Sequence, residues 1–511
     1  MKVLLVVIDA ATPHVVCPAV RTGRLPVLAR LAEAGTMHET SVSIFPSITP
    51  AATTSIITGC YPAEHGIAGA AWFDEARGEV AYYGDDFWVI ARKGFGPFVR
   101  DFLLRLNGDR LTAPTLFQMV ERRGRIAASL NYLVYRGDHA HEARVPALLR
   151  GLPDMPSSGV LMGPTILSLG DFAGNPVVHG HPLREKRGLL HRFGMDDAST
   201  GVLLRDLFAR EIPDLTVAYF ADNDFRGHTV GPYEALSAIE GVDRMLGEAF
   251  EAAGGLEKLL ATTCVIVTSD HGHCDVLPDE ERAIVRLDAI LGNFRQADLS
   301  GSWRDGDQIM ICPNMRAAQI YVRDGRLVEE VARDALLDGR VDQAIWRTAS
   351  PGSAEGRYVV LTGRGRLEFA RAPSSADAMA DGFGGRWTWE GDPEAVGLQV
   401  SDGTLEFDQY PNAFERIAGA LDLDRGGELW VTARPGCEFE LPGGKAHVGG
   451  ASHGALHALD SFSPVVMAGG GVRPALPRNL RLVDLAPICM NLLGLQMRYR
   501  PGEPRGAATL A

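Results

Sequence analysis

Along the N-terminal half of the chain, apolar runs that predict strands alternate with spaced apolar residues that predict helices. Predicted strands occupy residues 2–9, 126–135, 215–222, 262–270 and, near the C-terminus, 462–470, and the continuous apolar run at 2–9 is typical of a strand buried on both faces. Apolar residues with helical spacing occupy residues 25–35, 114–125, 199–212, 233–255 and 482–495. The pattern therefore predicts strands and helices in regular succession.

This succession predicts an α/β fold with a mostly parallel central sheet flanked by helices. In such sheets, functional sites lie outside the carboxyl ends of the strands. Asp9, Asp224 and Asp270 lie at or just beyond the ends of three predicted strands. We therefore expect these three carboxylates to meet at one edge of the sheet.

Two stretches interrupt the alternation. Residues 134–197 are rich in Gly, Pro and His and predict an irregular insertion, while residues 273–450 carry short β-like runs and one charged helix at 327–337. We expect 1–272 to form the first part of an α/β core, 273–450 an inserted smaller α+β lobe or cap, and 451–511 the rest of the core. The Gly/Ser/Ala-rich segment 372–385 predicts a mobile loop.

Composition and charge restrict the class of protein. The chain has 511 residues, with 46% hydrophobic and 22% charged, as in soluble globular proteins. A formal net charge of -14 argues against a surface that binds nucleic-acid polymers. The opening apolar run is too short for a membrane span and no signal peptide precedes it, and seven scattered cysteines predict free thiols. We expect a cytoplasmic protein without membrane segments.

Four short segments carry a set of candidate metal ligands. The residues are three aspartates and three histidines: Asp9, Asp224, His228, Asp270, His271 and His453. Carboxylates and imidazoles in this number suit two zinc-class cations, most simply Zn²⁺, with Mn²⁺ or another divalent ion as an alternative. His273 and Cys274, which follow closely, could compete as ligands, but we expect them to lie around the ligands or in the loop.

These segments resemble the alkaline phosphatase superfamily, and specifically its type I phosphodiesterase/nucleotide pyrophosphatase family. VVIDA resembles the opening strand with its metal aspartate, and FPSITPAATTSIITGCYPAEHGI resembles the nucleophile segment. DFRGHTVGP, TSDHG and SHG resemble the remaining ligand segments. The matches follow the family order from residue 3 to residue 454. The resemblance implies an alkaline phosphatase-like fold and a two-metal hydrolase.

The resemblance also implies individual roles. Asp224, His228 and His453 would hold one metal ion, and the other ion would be held by Asp9, Asp270 and His271 with the Thr49 oxygen. Thr49 would be the catalytic nucleophile and would pass through a phosphothreonine intermediate. Two divalent cations would balance the three aspartates and a threonine alkoxide, so that the site could accept an anionic phosphoryl group.

The chain departs from the family pattern at two positions. Ala52 occupies the place of an asparagine whose amide would contact a phosphoryl oxygen, and the loss of one such donor costs roughly a hundredfold in rate. Arg226 is a candidate replacement, and Trp72 and Phe73 are candidates to stack on a substrate ring or to lie in the core. Ala10 replaces the usual glycine after the first aspartate.

Local alternatives remain for several residues. Asp9 could cap a helix, and Thr49 could be the N-cap of the segment that follows it as well as a nucleophile. Asp224 and His228 could be a solvated helical pair, but Gly227 and the following Gly–Pro argue against a helix there. His65 is expected to be structural.

The function that the sequence favours is hydrolysis of phosphodiester or pyrophosphate bonds in small, nucleotide-like substrates. A phosphomonoesterase, a phosphonate hydrolase and a phosphomutase of the same superfamily remain open, as does a non-catalytic metal-binding protein. A sulfatase is excluded because Ala51 and Thr53 stand where its proline and arginine would be required. A small phosphorylated substrate is the expected partner, and the sequence leaves the oligomeric state open.

Overall fold

The computed structural model describes residues 1–84, 94–151, 159–298, 303–349, 356–375, 377–440, 446–470 and 476–497. Two large sheets dominate these residues, one of seven strands and one of ten. Among the helices described, none combines the length and the apolar character that crossing a bilayer requires. All seven cysteines are buried and free, as expected for unpaired thiols.

The seven-stranded sheet forms the centre of the α/β part. Its strands in chain order are β1 (Lys2–Ile8), β2 (Thr36–Val42), β3 (Ala127–Leu130), β4 (Ile166–Ser168), β5 (Leu215–Phe220), β6 (Thr263–Thr268) and, after the second sheet, β17 (Phe462–Ala468). Their spatial order is β2-β17-β6-β1-β5-β3-β4. Pairing is parallel from β6 through β4, whereas β17 pairs antiparallel with both β6 and β2. The prediction of a mostly parallel central sheet is confirmed.

Helices account for most of the remaining regular structure. In chain order they are α1 (Pro13–Arg21), α2 (Pro26–Ala34), α3 (Thr49–Thr58), α4 (Pro62–His65), α5 (Phe95–Arg100), α6 (Leu116–Glu121), α7 (Asp197–Phe208), α8 (Asp222–Val230), α9 (Pro232–Ala252), α10 (Leu256–Thr262), α11 (Glu280–Ala283), α12 (Leu287–Ile290), α13 (Val328–Ala335), α14 (Ala413–Leu421), α15 (Ala458–Ser461) and α16 (Leu485–Leu492).

The central sheet is buried on both faces, which explains its continuous apolar strands. In β1, the alternate residues from Val3 to Val7 join one core cluster and those from Leu4 to Ile8 join another, because side chains alternate across a strand. The first cluster includes α3, α6 and α16, and the second includes α1, α2, α7, α9 and α10. Helices therefore cover both faces of the sheet.

The second sheet forms a separate, mostly antiparallel lobe. Its strands are β7 (Ile309–Asn314), β8 (Ala317–Val322), β9 (Val341–Arg347), β10 (Tyr358–Thr362), β11 (Gly365–Arg371), β12 (Met379–Asp381), β13 (Arg386–Gly391), β14 (Leu398–Ser401), β15 (Thr404–Phe407) and β16 (Leu429–Ala433). They lie in the order β7-β8-β16-β9-β10-β11-β13-β12-β15-β14. Helix α13 packs on one face and α14 on the other. The division of the chain at residues 273 and 450 stays a prediction.

Five short pairs account for the other strands that the structure describes. They are Ala71–Asp74 with Glu79–Tyr82, His139–Glu142 with Val160–Gly163, Val177–Val178 with His181–Pro182, Cys274–Asp275 with Ala451–Ser452, and Ile284–Val285 with Glu438–Phe439. The Cys274–Asp275 pair matters most for the site, because it joins the chain after β6 to the chain just before His453.

Two expectations from the sequence differ from the structure. Within residues 134–197, the expectation of an irregular insertion is wrong for Ile166–Ser168, since this segment pairs parallel with β3 in the central sheet. Three residues are too short a run to show periodicity. Within 372–385, where the sequence predicts a mobile loop, residues Met379–Asp381 form strand β12 of the lobe sheet. Asp381 accepts a hydrogen bond from the indole N–H of Trp387 at 2.7 Å, which holds this strand in place.

Candidate metal centre and active site

The candidate ligands converge at the carboxyl edge of the three central strands. Asp9 follows β1, Asp224 lies on α8 just after β5, and Asp270 with His271 follows β6. Strand β1 lies between β5 and β6, so these three carboxylates come from adjacent strands. His453 reaches the same place from the segment that pairs with Cys274–Asp275. All six predicted ligand residues are thereby brought together.

The expectation that residues 224–228 are not helical is wrong. Asp224 and His228 both lie within α8, where an i, i+4 spacing places them on the same face. The helix ends just before Gly231, which has a φ of 83° and lies in the left-handed region that favours glycine. Unlike a solvated helical pair, both side chains are buried.

Four side chains form the first group of ligand atoms, which we call the Asp224 group: Asp224, His228, His273 and His453. Asp224 Oδ1 lies 3.0 Å from His273 Nε2 and 3.5 Å from His453 Nε2. Asp224 Oδ2 lies 3.3 Å from His228 Nε2. The four ligand atoms lie within 4.8 Å of one another and are buried.

Three side chains form the second group, which we call the Asp9 group: Asp9, Asp270 and His271. His271 Nε2 lies 3.4 Å from Asp9 Oδ1 and 3.5 Å from Asp270 Oδ2. The His271 ring stacks on the ring of His453, with 3.7 Å between the ring centroids. The two groups are therefore neighbours within one buried site.

Backbone carbonyls orient three of the imidazoles. His228 Nδ1 donates to the Ala451 carbonyl at 2.7 Å, and His453 Nδ1 donates to the Ser47 carbonyl at 2.9 Å. His271 Nδ1 donates to the Gly272 carbonyl at 3.1 Å. Each bond fixes the tautomer in which Nε2 carries the lone pair and faces the cluster. This is the arrangement that proteins use to orient metal-binding histidines.

The donor atoms are chemically suited to cations. Within the described part of the chain, Asp9 Oδ1, Asp270 Oδ2 and His453 Nε2 are buried without a hydrogen-bond partner. Burial, with the charges of Asp270 and Asp224 nearby, raises the pKa of Asp9 well above its usual value. Packing such carboxylates together in the interior is unfavourable without positive charge, and divalent cations supply that charge. The site therefore fits metal ions.

His453, His273 and Asp224 are in the forms that bind metal. Burial lowers the pKa of His453 well below its usual value and that of His273 to about 4, so both rings are neutral near pH 7. Burial acts to raise the pKa of Asp224, but His228 and His273 outweigh it and hold that pKa well below the usual range. Asp224 is therefore an ionised carboxylate among imidazoles.

Thr49 lies at the boundary of the site and a cavity. It is the first residue of α3, and Ile48 rather than Thr49 occupies the N-cap position. Its Oγ1 lies 3.0 Å from His271 Nε2, so the hydroxyl donates to that nitrogen in the tautomer set by Gly272. The N-terminus of a helix favours negative charge, which suits an oxygen that becomes anionic.

A cavity of about 260 Å³ opens beside Thr49, Asp9, Asp224 and His453. Its other walls are mostly apolar or aromatic and include Phe98, Phe102, Leu106, Leu133, Met195, Phe225 and Met315. Arg192 is the one arginine or lysine among the described residues that line it. The cavity thus places an apolar space and one cationic side chain next to the ligand cluster.

The three predicted substrate contacts do not lie on this cavity. Arg226 is exposed and donates from Nε to the Glu234 carbonyl at 3.2 Å, because its position on α8 faces away from that of Asp224. Trp72 and Phe73 are buried in the core cluster that packs under α3, with exposures of 0% and 4%. The substrate roles predicted for these residues are therefore not supported by their positions.

Three residues of the site lie outside the predicted set of ligands and nucleophile. His273, which the sequence leaves open as a competing ligand, belongs to the Asp224 group, and its spacing in DHGH is the signal for it. The Tyr219 hydroxyl donates to Asp9 Oδ2, and strand alternation from β5 could have indicated this residue. Arg192 lies in a segment without periodicity, and nothing in the sequence marks it.

Arg192 has an unusual backbone. It has a φ of 45° and the next residue, Phe193, has a φ of 56°, both in the left-handed region that bulky residues rarely adopt. The guanidinium lies 4.3 Å from the centre of the Phe225 ring and pairs with Asp222. Strained backbone of this kind concentrates at functional sites.

The sequence matches one protein family over most of its length. The family described as type I phosphodiesterase / nucleotide pyrophosphatase matches residues 3–455. Among curated proteins, a 2,3-bisphosphoglycerate-independent phosphoglycerate mutase of Wolinella succinogenes is 40% identical over 72 residues, 14% of each chain. One of Campylobacter jejuni is 40% identical over 118 residues, 23% of each chain. These matches span less than a quarter of either mutase.

Solved structures resemble the whole chain. Phosphonoacetate hydrolase of Sinorhizobium meliloti, in complex with phosphonoformate, has 17% identity and a TM-score of 0.55 over 96% of both chains. Human ectonucleotide pyrophosphatase / phosphodiesterase 5 has 16% identity and a TM-score of 0.55 over 98% of this chain and 97% of its own. An inactive threonine-to-alanine variant of the murine protein, in complex with AMP, has a TM-score of 0.54 at 16% identity, over 98% of this chain and 97% of its own. At these identities the likeness shows a shared fold.

Proposed function

Because the chain belongs to the type I phosphodiesterase/nucleotide pyrophosphatase family, we propose that it is a two-metal hydrolase of small phosphodiesters or pyrophosphates that acts through a phosphothreonine intermediate. One observation carries the proposal. The Thr49 hydroxyl lies 3.0 Å from His271 Nε2 of the Asp9 group, and Thr49 lines the same cavity as Asp9, Asp224 and His453. A non-catalytic metal-binding protein would need neither this hydroxyl nor the cavity.

In this proposal, Asp224, His228 and His453 hold one divalent cation, and Asp9, Asp270 and His271 hold the other. Zinc is the first candidate because imidazole combined with carboxylate suits zinc-class ions. When bound, two such ions neutralise the phosphoryl group and lower the pKa of oxygens that they contact.

Thr49 performs the covalent step. Its oxygen gives up its proton and bonds to phosphorus, while the bond from phosphorus to the leaving oxygen breaks and that oxygen takes up a proton to depart as an alcohol or a phosphate. Water then bonds to the phosphorus of the phosphothreonine, the bond from phosphorus to the Thr49 oxygen breaks, a proton of the water restores the Thr49 hydroxyl, and the phosphate product is released. The murine relative bound to AMP is inactive as a threonine-to-alanine variant, which supports a threonine nucleophile and a nucleotide-like substrate for this chain as well.

The cavity favours a small ester with an apolar or aromatic arm. At about 260 Å³ it lies just below the usual range for ligand pockets, about 300–1,000 Å³, which favours a small substrate, and its apolar walls suit an organic substituent on phosphorus. A net charge of -14 disfavours nucleic-acid polymers. Arg192 is the side chain best placed to meet a further anionic group, such as a second phosphate or a carboxylate.

Ala52 leaves the reaction without the amide that relatives of this family are expected to use. Ala52 is buried in α3 with a methyl group that donates no hydrogen bond, and its backbone N–H is committed to the Ile48 carbonyl at 2.9 Å. Lower turnover than a site with that amide is the expected consequence, by roughly a hundredfold. Metal binding does not depend on this position.

The test is a substrate panel on one preparation, with and without added zinc. It compares kcat/KM for bis-p-nitrophenyl phosphate, thymidine monophosphate p-nitrophenyl ester, p-nitrophenyl phosphate, phosphonoacetate and phosphoglycerate. We expect the diesters to be cleaved fastest and to depend on the metal. A monoester preference above about tenfold, or roughly 1.4 kcal/mol in the transition state, would replace the proposal with a phosphomonoesterase. Faster turnover of phosphonoacetate or phosphoglycerate would instead indicate a phosphonate hydrolase or a mutase.

A further inference from the structure

The two ligand groups differ in their donor atoms. The Asp224 group contains three imidazoles and one carboxylate, whereas the Asp9 group contains two carboxylates and one imidazole. The Thr49 hydroxyl adds a further oxygen beside the Asp9 group. One group is therefore rich in nitrogen and the other in oxygen, and His273 enlarges the difference by one imidazole.

His273 is built into the Asp224 group. Its side chain is completely buried, and its Nε2 lies 3.0 Å from Asp224 Oδ1. Among the described residues, Nδ1 has no hydrogen-bond partner, and Nε2 faces the Asp224 carboxylate. The ring lies edge-on to His228, with 5.1 Å between the centroids. Burying an imidazole nitrogen without a partner costs free energy unless the ring binds a ligand such as a metal ion.

The neighbouring helix leaves room for this ring. A Cβ added at Gly227 on α8 would lie 2.4 Å from His273 Cε1 and 2.5 Å from His273 Nδ1. Gly227 precedes His228 in the helix that also carries Asp224. The absence of a side chain at residue 227 is therefore what lets His273 approach the other ligands.

We propose that His273 is a fourth protein ligand of the Asp224 group and that the two metal sites are consequently unequal. The Asp224 group binds a zinc-class ion and retains it, while the Asp9 group binds its ion more weakly and accepts the harder Mn²⁺. This inference rests on the two-metal function proposed above, to which it adds the ligand count and the order of loading.

The reason lies in ligand chemistry. Imidazole suits Zn²⁺, whereas carboxylate and hydroxyl oxygens suit Mn²⁺ and Mg²⁺. Four protein ligands are typical of tightly held zinc, and three are typical of catalytic sites that keep a position open. The nitrogen-rich group is therefore suited to retaining its ion, and the oxygen-rich group, next to Thr49, is suited to exchange.

The experiment measures metal content directly. Wild-type protein loaded with zinc is dialysed against increasing concentrations of a chelator, and the remaining zinc is determined by elemental analysis. We expect one equivalent of zinc to be removed at low chelator concentration. Removing the second equivalent should require a chelator concentration at least about tenfold higher. Adding Mn²⁺ to the half-depleted protein should refill the emptied site and give one zinc and one manganese per chain.

Three variants identify the cause. His273→Phe keeps a buried ring but removes both nitrogens. It should release both zinc equivalents together, and the equivalent that wild type retains should leave at a chelator concentration at least about tenfold lower. Gly227→Ala alters no ligand but displaces the His273 ring, and it should act in the same direction. Gly241→Ala is the control, because a Cβ there would meet its nearest described neighbour at 3.9 Å and leave the site unchanged.

The outcomes separate the two claims. Retention of the second equivalent in both folded variants, or equal release of both ions from wild type, would overturn the role of His273 while the two-metal function stands. Wild-type protein that binds no zinc but cleaves diesters would refute both. If His273→Phe does not fold, the comparison of Gly227→Ala with Gly241→Ala decides the question.

Discussion

The hydroxyl of Tyr219 offers a sharp test of how the protein supports its metal ligands. Tyr219 lies on β5, opposite Val7 of the neighbouring strand, and its hydroxyl donates to Asp9 Oδ2. Asp9 Oδ1 remains turned toward His271, with 3.4 Å between Oδ1 and Nε2. One oxygen of the carboxylate is thus held by the tyrosine, and the other is available to a cation.

Replacing Tyr219 with Phe removes that hydrogen bond without changing a ligand. A hydrogen bond to a charged group contributes about 1.5–3 kcal/mol. Removing a group that orients a metal ligand typically weakens metal binding about 10- to 100-fold, which corresponds to about 1.4–2.7 kcal/mol. The Asp9 group should lose this metal affinity, whereas the metal affinity of the Asp224 group should stay unchanged.

Tyr132→Phe is a matched control. Tyr132 is also buried, its ring centroid lies 5.8 Å from that of Tyr219, and its hydroxyl donates to the Thr53 carbonyl at 2.7 Å. It contacts no ligand through that bond, so it should lose about 1 kcal/mol of stability and no metal affinity. Competition with a zinc-binding dye measures affinity, and thermal unfolding measures stability. Equal zinc affinities in the two variants would refute the reasoning.

Three further predictions concern substrate contact, pH and stability. Arg192→Ala should lower kcat/KM by about tenfold or more for substrates with a second anionic group, while the exposed Arg226→Ala should change it little; kinetics on matched substrates with and without that group decide this. Burial raises the pKa of Asp197 to about 7, with Arg192 opposing the shift. A folded-state pKa above the unfolded one means that this group's contribution is complete below about pH 4 and is lost as pH rises through about 7. Asp197→Asn should therefore flatten that part of the stability profile in urea titrations, and an unchanged slope would contradict the assignment. Arg416 is completely buried and donates to the carbonyls of Pro411, Leu456 and Ile44 and to the hydroxyls of Ser47 and Ser461. Arg416→Met should cost more than about 3 kcal/mol of unfolding free energy by leaving these acceptors unpaired, and a loss below about 1 kcal/mol would show that they find other partners.

The central sheet could be predicted because its strands are buried on both faces. Apolar runs such as 2–9 and 262–270 have few other stable arrangements, and the positions of Asp9 and Asp270 at their ends follow from the rule for parallel sheets. The short strand Ile166–Ser168 could not be found in this way, since three residues do not establish a period.

The sequence did not predict helix α8 because this segment contains Gly227 and is followed by Gly231 and Pro232, which have low helix propensity. A glycine inside a helix costs about 1 kcal/mol relative to alanine. Gly231, however, ends α8 and Pro232 begins α9, so these two residues separate two helices and prevent neither. Gly227 itself is explained by the space that His273 requires, which is a tertiary contact. Arg226 lies away from the cavity because of its spacing from Asp224 on α8. Arg192 lies on the cavity through tertiary contacts that no sequence spacing encodes.

The central claim is that Thr49 transfers the phosphoryl group at a two-metal site, and one measurement tests it most directly. Metal content and diester turnover are determined on the same preparations of wild type, Thr49→Ala and Thr49→Ser. We expect all three to fold and to bind metal, with turnover lost in Thr49→Ala and partly kept in Thr49→Ser, because only serine retains a hydroxyl. Turnover of Thr49→Ala at near the wild-type rate would contradict the account.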